Sequence, residues 1–76
     1  MVKIEVTNNI TNKINDFQKK YGSSRTFIAN KIGISRQSLN SLESADNPSI
    51  QMLERLAFVL ECSVDELYQA IVTETD

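Results

Sequence analysis

Four polar side chains in one short run have the chemistry to read nucleic-acid bases: Arg36, Gln37, Asn40 and Ser41, within RQSLNSLE. An arginine offers paired donors that match guanine O6 and N7, and a glutamine or asparagine offers a donor and an acceptor that match adenine N6 and N7. On a helix these positions share one face, while Leu39 and Leu42, three residues apart, point the other way. The chemistry expected here is hydrogen bonding to base edges from a helix over 36–43 lying in the major groove of double-stranded DNA.

Such a helix must be held by its neighbours, and the residues from Ser24 to Glu43 supply the means. Ile28, Ala29 and Ile32 form a narrow apolar stripe on a helix that Ser24 can cap. Gly33 follows where a left-handed residue is wanted to end it. Ile34 can plug the core, and Ser35 can cap the second helix. Ala29 is small, which lets two helices with almost no linker cross closely. The spacing predicts a helix-turn-helix.

The remaining chain reads as further helices around this unit. Asn8 or Thr7 can cap a first helix with Ile10, Ile14, Phe17 and Tyr21 on its apolar face and Lys13, Lys19 and Lys20 outside. Ser44 to Asn47 is a polar loop, and Pro48 breaks the chain. Ser49 can cap a fourth helix with Ile50, Leu53, Leu56, Ala57 and Leu60 inward. Ser63 and Glu66 form a capping box for a fifth helix, with Leu67, Tyr68 and Ile71 on its apolar face. The fold expected is all-α, a five-helix bundle in one domain spanning 1–76, with a core over 8–72 and a strand or arm over 1–7.

Two segments fall outside the helical plan. Val2, Ile4 and Val6 alternate with polar residues at the period of a half-buried strand, and Ile71 to Thr75 is β-branched enough to be a second one. A lone strand is unstable, so three arrangements are open: the two pair with each other, they pair with a second copy, or they fray. Phe27 lies roughly opposite the Ile28/Ile32 stripe and would be exposed in a bare bundle. The N-terminal strand or a dimer partner is the expected cover, and solvent exposure is the alternative.

Composition excludes several function classes. The chain has 76 residues, no histidine and a single cysteine, Cys62, so it lacks the commonest general base and cannot close an internal disulfide. Ser35, Asp65 and Glu66 are explained as helix caps, and neither an enzyme nor a cofactor, metal or small-molecule site is expected. Cys62 reads as a small core residue. No apolar run approaches the roughly 20 residues that span a bilayer, and no export signal is legible, so the expected compartment is the cytoplasm, without a membrane partner. The net charge of −2 divides unevenly: residues 1–42 hold seven basic and two acidic side chains (7 − 2 = +5), and residues 43–76 hold one and eight (1 − 8 = −7). A basic half can be steered to phosphate despite the overall sign.

Residues 10 to 68 resemble the phage repressor and Cro-type helix-turn-helix proteins, the xenobiotic-response-element family. The likeness rests on Ile14 and Phe17, Ser24 with Ile28-Ala29, Ile32-Gly33-Ile34-Ser35-Arg36, Leu39, Leu42-Glu43, Asn47-Pro48-Ser49 and Ser63 to Tyr68. It implies a lambda-repressor-like bundle of five helices, cytoplasmic control of transcription and usually a homodimer on a two-fold operator. Residue by residue, it implies base contacts from Arg36 and Gln37, then Asn40 and Ser41. Arg25 takes a position from which a side chain reaches a phosphate or the groove edge, and Lys31 adds a backbone contact. Amides at Ser24, Ser35 and Asn47 become phosphate ligands.

Departures from the family pattern matter equally. The basic loop that often follows the recognition helix reads Ser44-Ala45-Asp46 here, which removes phosphate contacts. Gln18 stands where an arginine often pairs with the acid ending that helix, so Glu43 is expected to accept a neutral hydrogen bond. Ser23 replaces a usual leucine, with Tyr21 expected to fill the gap. The reading is a sequence-specific DNA-binding regulator, most simply a dimeric repressor. The alternative is an antitoxin-like or accessory protein-interaction module that uses the acidic half, with DNA binding secondary or lost.

Overall fold

Serines start the second, third and fourth helices of this protein, and each does so through its hydroxyl. In the computed structural model, which describes residues 1–75, the chain runs β1 (Val2–Asn8), α1 (Ile10–Tyr21), α2 (Arg25–Ile32), α3 (Arg36–Glu43), α4 (Ile50–Leu60), α5 (Val64–Leu67) and β2 (Tyr68–Glu74). The Oγ of Ser24 accepts the Phe27 N–H at 3.1 Å, that of Ser35 the Ser38 N–H at 3.0 Å, and that of Ser49 the Met52 N–H at 3.2 Å. Each bond satisfies one of the amides that a helix start leaves unpaired. Gly33, at φ +82°, ends α2 in the left-handed conformation that lets the chain turn directly into α3.

The core takes one apolar stripe from each helix. Ile10 and Ile14 of α1, Ile28, Ala29 and Ile32 of α2, and Leu39 and Leu42 of α3 meet Leu53, Leu56, Ala57 and Leu60 of α4 and Leu67 of α5. Phe17, Ile34 and Cys62 pack against its margin. Ala29 is buried where α2 meets its neighbours, as its size requires. Among the described residues, no helix is long and apolar enough to cross a membrane.

The two terminal segments pair with each other. β1 and β2 form an antiparallel two-stranded sheet in the register Val2↔Glu74 through Ile4↔Val72 to Asn8↔Tyr68. This ribbon stands out from the helices, with both strands exposed along almost their whole length, in a molecule 48 Å long but only 22 by 16 Å across.

Several expectations need correction. The fifth helix stops at Leu67, so Tyr68 and Ile71 belong to β2 rather than to an apolar helix face. A four-residue helix has too few bonds to propagate into Ile71-Val72-Thr73, whose branched side chains favour a strand once β1 lies beside them. Ile50 is 69% exposed and is no part of the core, because at the first position of α4 it lies beyond the buried stripe. Tyr21 fills no core gap: it is exposed, its ring 4.7 Å from that of Phe17 and its hydroxyl donating to the Glu61 carboxylate at 3.0 Å. The residue at the start of α1 is Asn9, although Asn8 contributes by accepting the Ile10 N–H on Oδ1 at 3.0 Å.

Candidate nucleic-acid interface

The polar face of α3 is open to solvent. Arg36, Gln37, Asn40 and Ser41 are all exposed, while Leu39 and Leu42 anchor the opposite side of the helix. The Arg36 guanidinium donates to Asn40 Oδ1 one turn on, which links the two side chains on the exposed surface and leaves further N–H donors on both. Ser41 donates its hydroxyl to the Gln37 carbonyl at 3.2 Å. Gln37 makes no side-chain hydrogen bond among the described residues, which leaves its amide the freest group on this face.

The starts of α2 and α3 face solvent too. Ser24 and Ser35 are exposed, and each hydroxyl uses the third amide of its helix, leaving the first two for an outside acceptor. Asn47 is exposed in the loop after α3. Lys31 is exposed with its Nζ 5.5 Å from the centre of the Phe27 ring, a cation–π distance.

Arg25 is placed differently from its expected role. Its side chain is only 20% exposed and is turned inward onto Glu43, 13% exposed, with Nη2 2.9 Å from Oε1. Nη2 also donates to Asn15 Oδ1 at 2.7 Å, Nη1 donates to Gln18, and Nε donates to Glu43 at 3.3 Å. Thr11 adds a hydroxyl bond to Glu43 at 3.1 Å. Glu43 therefore has an ion pair after all, supplied by α2 rather than by residue 18, and Gln18 joins it by accepting from the same arginine. The cluster ties the last residue of α3 to both α1 and α2. Its members are polar residues of three helices, Thr11 and Asn15 exposed and Gln18, Arg25 and Glu43 half-buried, which spacing alone does not assign to one another.

A second set of contacts, not legible in the sequence, holds the loop after α3. Asn8 Nδ2 donates to the carbonyls of Leu42 at 3.1 Å and Ala45 at 2.8 Å, and Tyr68 donates its hydroxyl to the Asp46 carbonyl at 2.7 Å. Pro48 is buried beyond them. The Ser44-Ala45-Asp46 segment brings no positive charge, but its backbone is fastened by the end of the terminal ribbon nearest the helices, where Asn8 and Tyr68 are paired.

The expected dimer or arm residues are separated. Val2, Ile4 and Val6 lie in the projecting ribbon, whereas Phe27 is on α2 and remains 46% exposed, so β1 does not cover it. Near the capping box, Glu66 Oε2 accepts the Ser63 N–H at 2.7 Å and the Ser63 hydroxyl at 3.2 Å, while Lys13 Nζ lies 3.5 Å from Oε1. These Ser63 hydrogen bonds, then the lysine charge, hold the Glu66 carboxyl below its usual range. Burial, with a contribution from the Glu66 charge, pushes the Cys62 thiol up, which keeps it protonated and slow as a nucleophile.

Two adjoining helices, the second with an open polar face and both capped by serine, define a helix-turn-helix unit. A family model described as helix-turn-helix matches residues 15–67, and the chain belongs to that family. The HTH-type transcriptional regulator SinR of Bacillus subtilis (strain 168) is 38% identical over 60 residues, covering 76% of this chain and 54% of that protein. SinR of Bacillus licheniformis matches to the same extent. An uncharacterized HTH-type transcriptional regulator of Archaeoglobus fulgidus is 30% identical over 57 residues, 74% of this chain and 81% of that protein. The chain spans about half the length of the SinR proteins it matches.

Proposed function

We propose that this protein is a sequence-specific DNA-binding regulator of transcription, acting as a dimeric repressor. The observation that carries the reading is the exposed Arg36/Gln37/Asn40/Ser41 face on a helix whose far end is locked by Arg25 and Glu43. A rigid helix presents its side chains to base edges without an ordering cost at the moment of binding. Arg36 and Gln37 read bases, Asn40 and Ser41 read the next positions, and Lys31 with the amides at Ser24, Ser35 and Asn47 contacts phosphates. Arg25 acts here by positioning α3 more than by touching the phosphate backbone. Two copies place their recognition helices in successive major grooves about 34 Å apart, and occupancy of a promoter blocks polymerase. The named relatives, all HTH-type transcriptional regulators, support this reading. In it, residues 1–76 act as one domain of phage-repressor type in the cytoplasm, on double-stranded DNA and without a cofactor.

One specific observation favours a second reading, an antitoxin-like or accessory module that binds protein. Ile50 and Phe58, the latter 85% exposed, sit on α4 within the acidic half, and the loop after α3 lacks basic residues. Selection of binding sites from random DNA separates the two. Enrichment of a palindrome by the wild type, lost in an Arg36→Ala/Gln37→Ala double variant of unchanged melting temperature, is expected. No enrichment even at low salt would favour the protein-binding module.

A further inference from the structure

The terminal ribbon is amphipathic and has one unpaired edge whose sequence matches itself. Opposed residues in an antiparallel pair point to the same side, so Val2, Ile4 and Val6 share a largely apolar face with Ala70, Val72 and, at its outer end, Glu74, while Lys3, Glu5 and Thr7 share the other with Thr73, Ile71 and Gln69. The apolar face is bare: Val2 is 58% exposed, Ile4 61% and Val72 62%. A two-stranded ribbon alone in water is marginal, and three or more strands are the usual remedy.

Hydrogen-bond parity shows which backbone groups are free. Met1 and Thr75 exchange bonds of 2.6 and 2.7 Å, and the Asn9 N–H donates to the Leu67 carbonyl at 2.8 Å. Odd-numbered residues of β1 thus bond to β2, and the alternation of an antiparallel ladder turns the N–H and C=O groups of Val2, Ile4 and Val6 to the open edge.

We propose that this edge is the contact between two copies of the chain: β1 pairs with β1 of a second copy, antiparallel about a two-fold axis at Ile4, to make one four-stranded sheet. Centred there, Ile4 faces Ile4 of the second copy and Val2 faces Val6, three pairs that each exchange two backbone bonds. Those branched side chains meet across the strands on the apolar face. On the polar face Lys3 falls opposite Glu5 of the second copy, and Glu5 opposite Lys3. Within one chain these two are already 3.8 Å apart, so the four charges form a square of alternating sign.

Charge complementarity selects this register and this partner. Moving the axis to Lys3 or to Glu5 keeps the backbone parity but sets like charges face to face, which is unfavourable. The free edge of β2 offers no equivalent, because YQAIVTE contains no cation to meet Glu74. A pairing of β1 with the β2 edge of another copy leaves a free edge at each end and grows into a filament, whereas the β1 pairing closes after two copies.

The inference rests on the dimeric part of the proposed function but not on DNA binding, so its test is done without DNA. Sedimentation equilibrium of the full chain is expected to show a reversible dimer. Ile4→Pro removes only an outward-facing N–H and should leave the melting temperature within a few degrees while abolishing the dimer. Lys3→Glu should weaken dimerisation about tenfold, and Lys3→Glu/Glu5→Lys should restore it. The charge series decides the matter if the proline variant unfolds. A monomer at every concentration, an open-ended oligomer, a dimer indifferent to Ile4→Pro in a folded chain, or a Lys3→Glu defect that the second substitution fails to rescue would overturn the proposal. Loss of DNA selection with an intact dimer would instead count against the recognition face alone.

Discussion

Arg25 and Glu43 meet at 2.9 Å, both largely withdrawn from solvent, and the contact joins the first residue of α2 to the last residue of α3. Its guanidinium also reaches Asn15 and Gln18 on α1, so three helices share one charged knot. A sheltered ion pair gains more from attraction than an exposed one, yet loses heavily when either member is removed and the other is left without its charge partner. Arg25→Met and Glu43→Gln are each expected to lower stability by about 1–3 kcal/mol in urea unfolding. The double variant should cost less than the sum of the two, by on the order of 1 kcal/mol. Strict additivity would mean that the pair contributes nothing.

Base-reading and phosphate-binding side chains should fail in different ways. Given an operator from site selection, Arg36→Ala is expected to cost about 1–3 kcal/mol and to relax preference at one base position. Lys31→Ala should weaken all sequences alike and reduce the slope of log K against log salt by about 1. Fluorescence anisotropy across a salt series checks both. Equal behaviour of the two variants would contradict the division of roles.

The loop after α3 depends on partners far away in sequence. Asn8→Ala removes the donors to the Leu42 and Ala45 carbonyls and should destabilise the protein by about 1–3 kcal/mol. Tyr68→Phe removes one bond to Asp46 and should cost about 1 kcal/mol. Hydrogen exchange should quicken at the amides from Ser44 to Asn47 in both variants, and unchanged exchange would show that Pro48 alone holds the loop.

Acid should release the Glu66 cap. Its carboxyl is held below the ordinary range in the folded state, mainly by the Ser63 hydrogen bonds and then by Lys13. The unfolded chain therefore takes up a proton first as pH falls. The stabilisation is complete above the unfolded value and disappears as pH drops through the folded one. Glu66→Gln should lower the melting temperature at neutral pH and flatten its decline through and below the usual glutamate range. An equal decline in both proteins would place the acid sensitivity elsewhere.

Much of the helical architecture was legible because its causes are local. Ser24, Ser35 and Ser49 mark helix starts through bonds to residues three places on, and Gly33 ends α2 by a conformation that glycine tolerates best. The 36–43 face is equally local, since four residues of one helix share a side whatever surrounds them. Ile50 misled because periodicity reports which residues align but not how far along the helix the core extends. Tyr68 and Ile71 misled because an apolar stripe is consistent with a short strand once a partner is available.

By itself, then, the sequence determined the helix-turn-helix, its caps, the apolar stripes and the polar face of α3, all set by spacings of a few residues. Only the tertiary structure decided that Arg25 turns inward to Glu43, that Asn8 and Tyr68 clasp the loop after α3, and that the two ends of the chain zip into one ribbon. Those contacts join residues 18 to 74 positions apart. A side chain that can serve several partners is assigned to one only when folding brings that partner within hydrogen-bonding reach and closes off the rest.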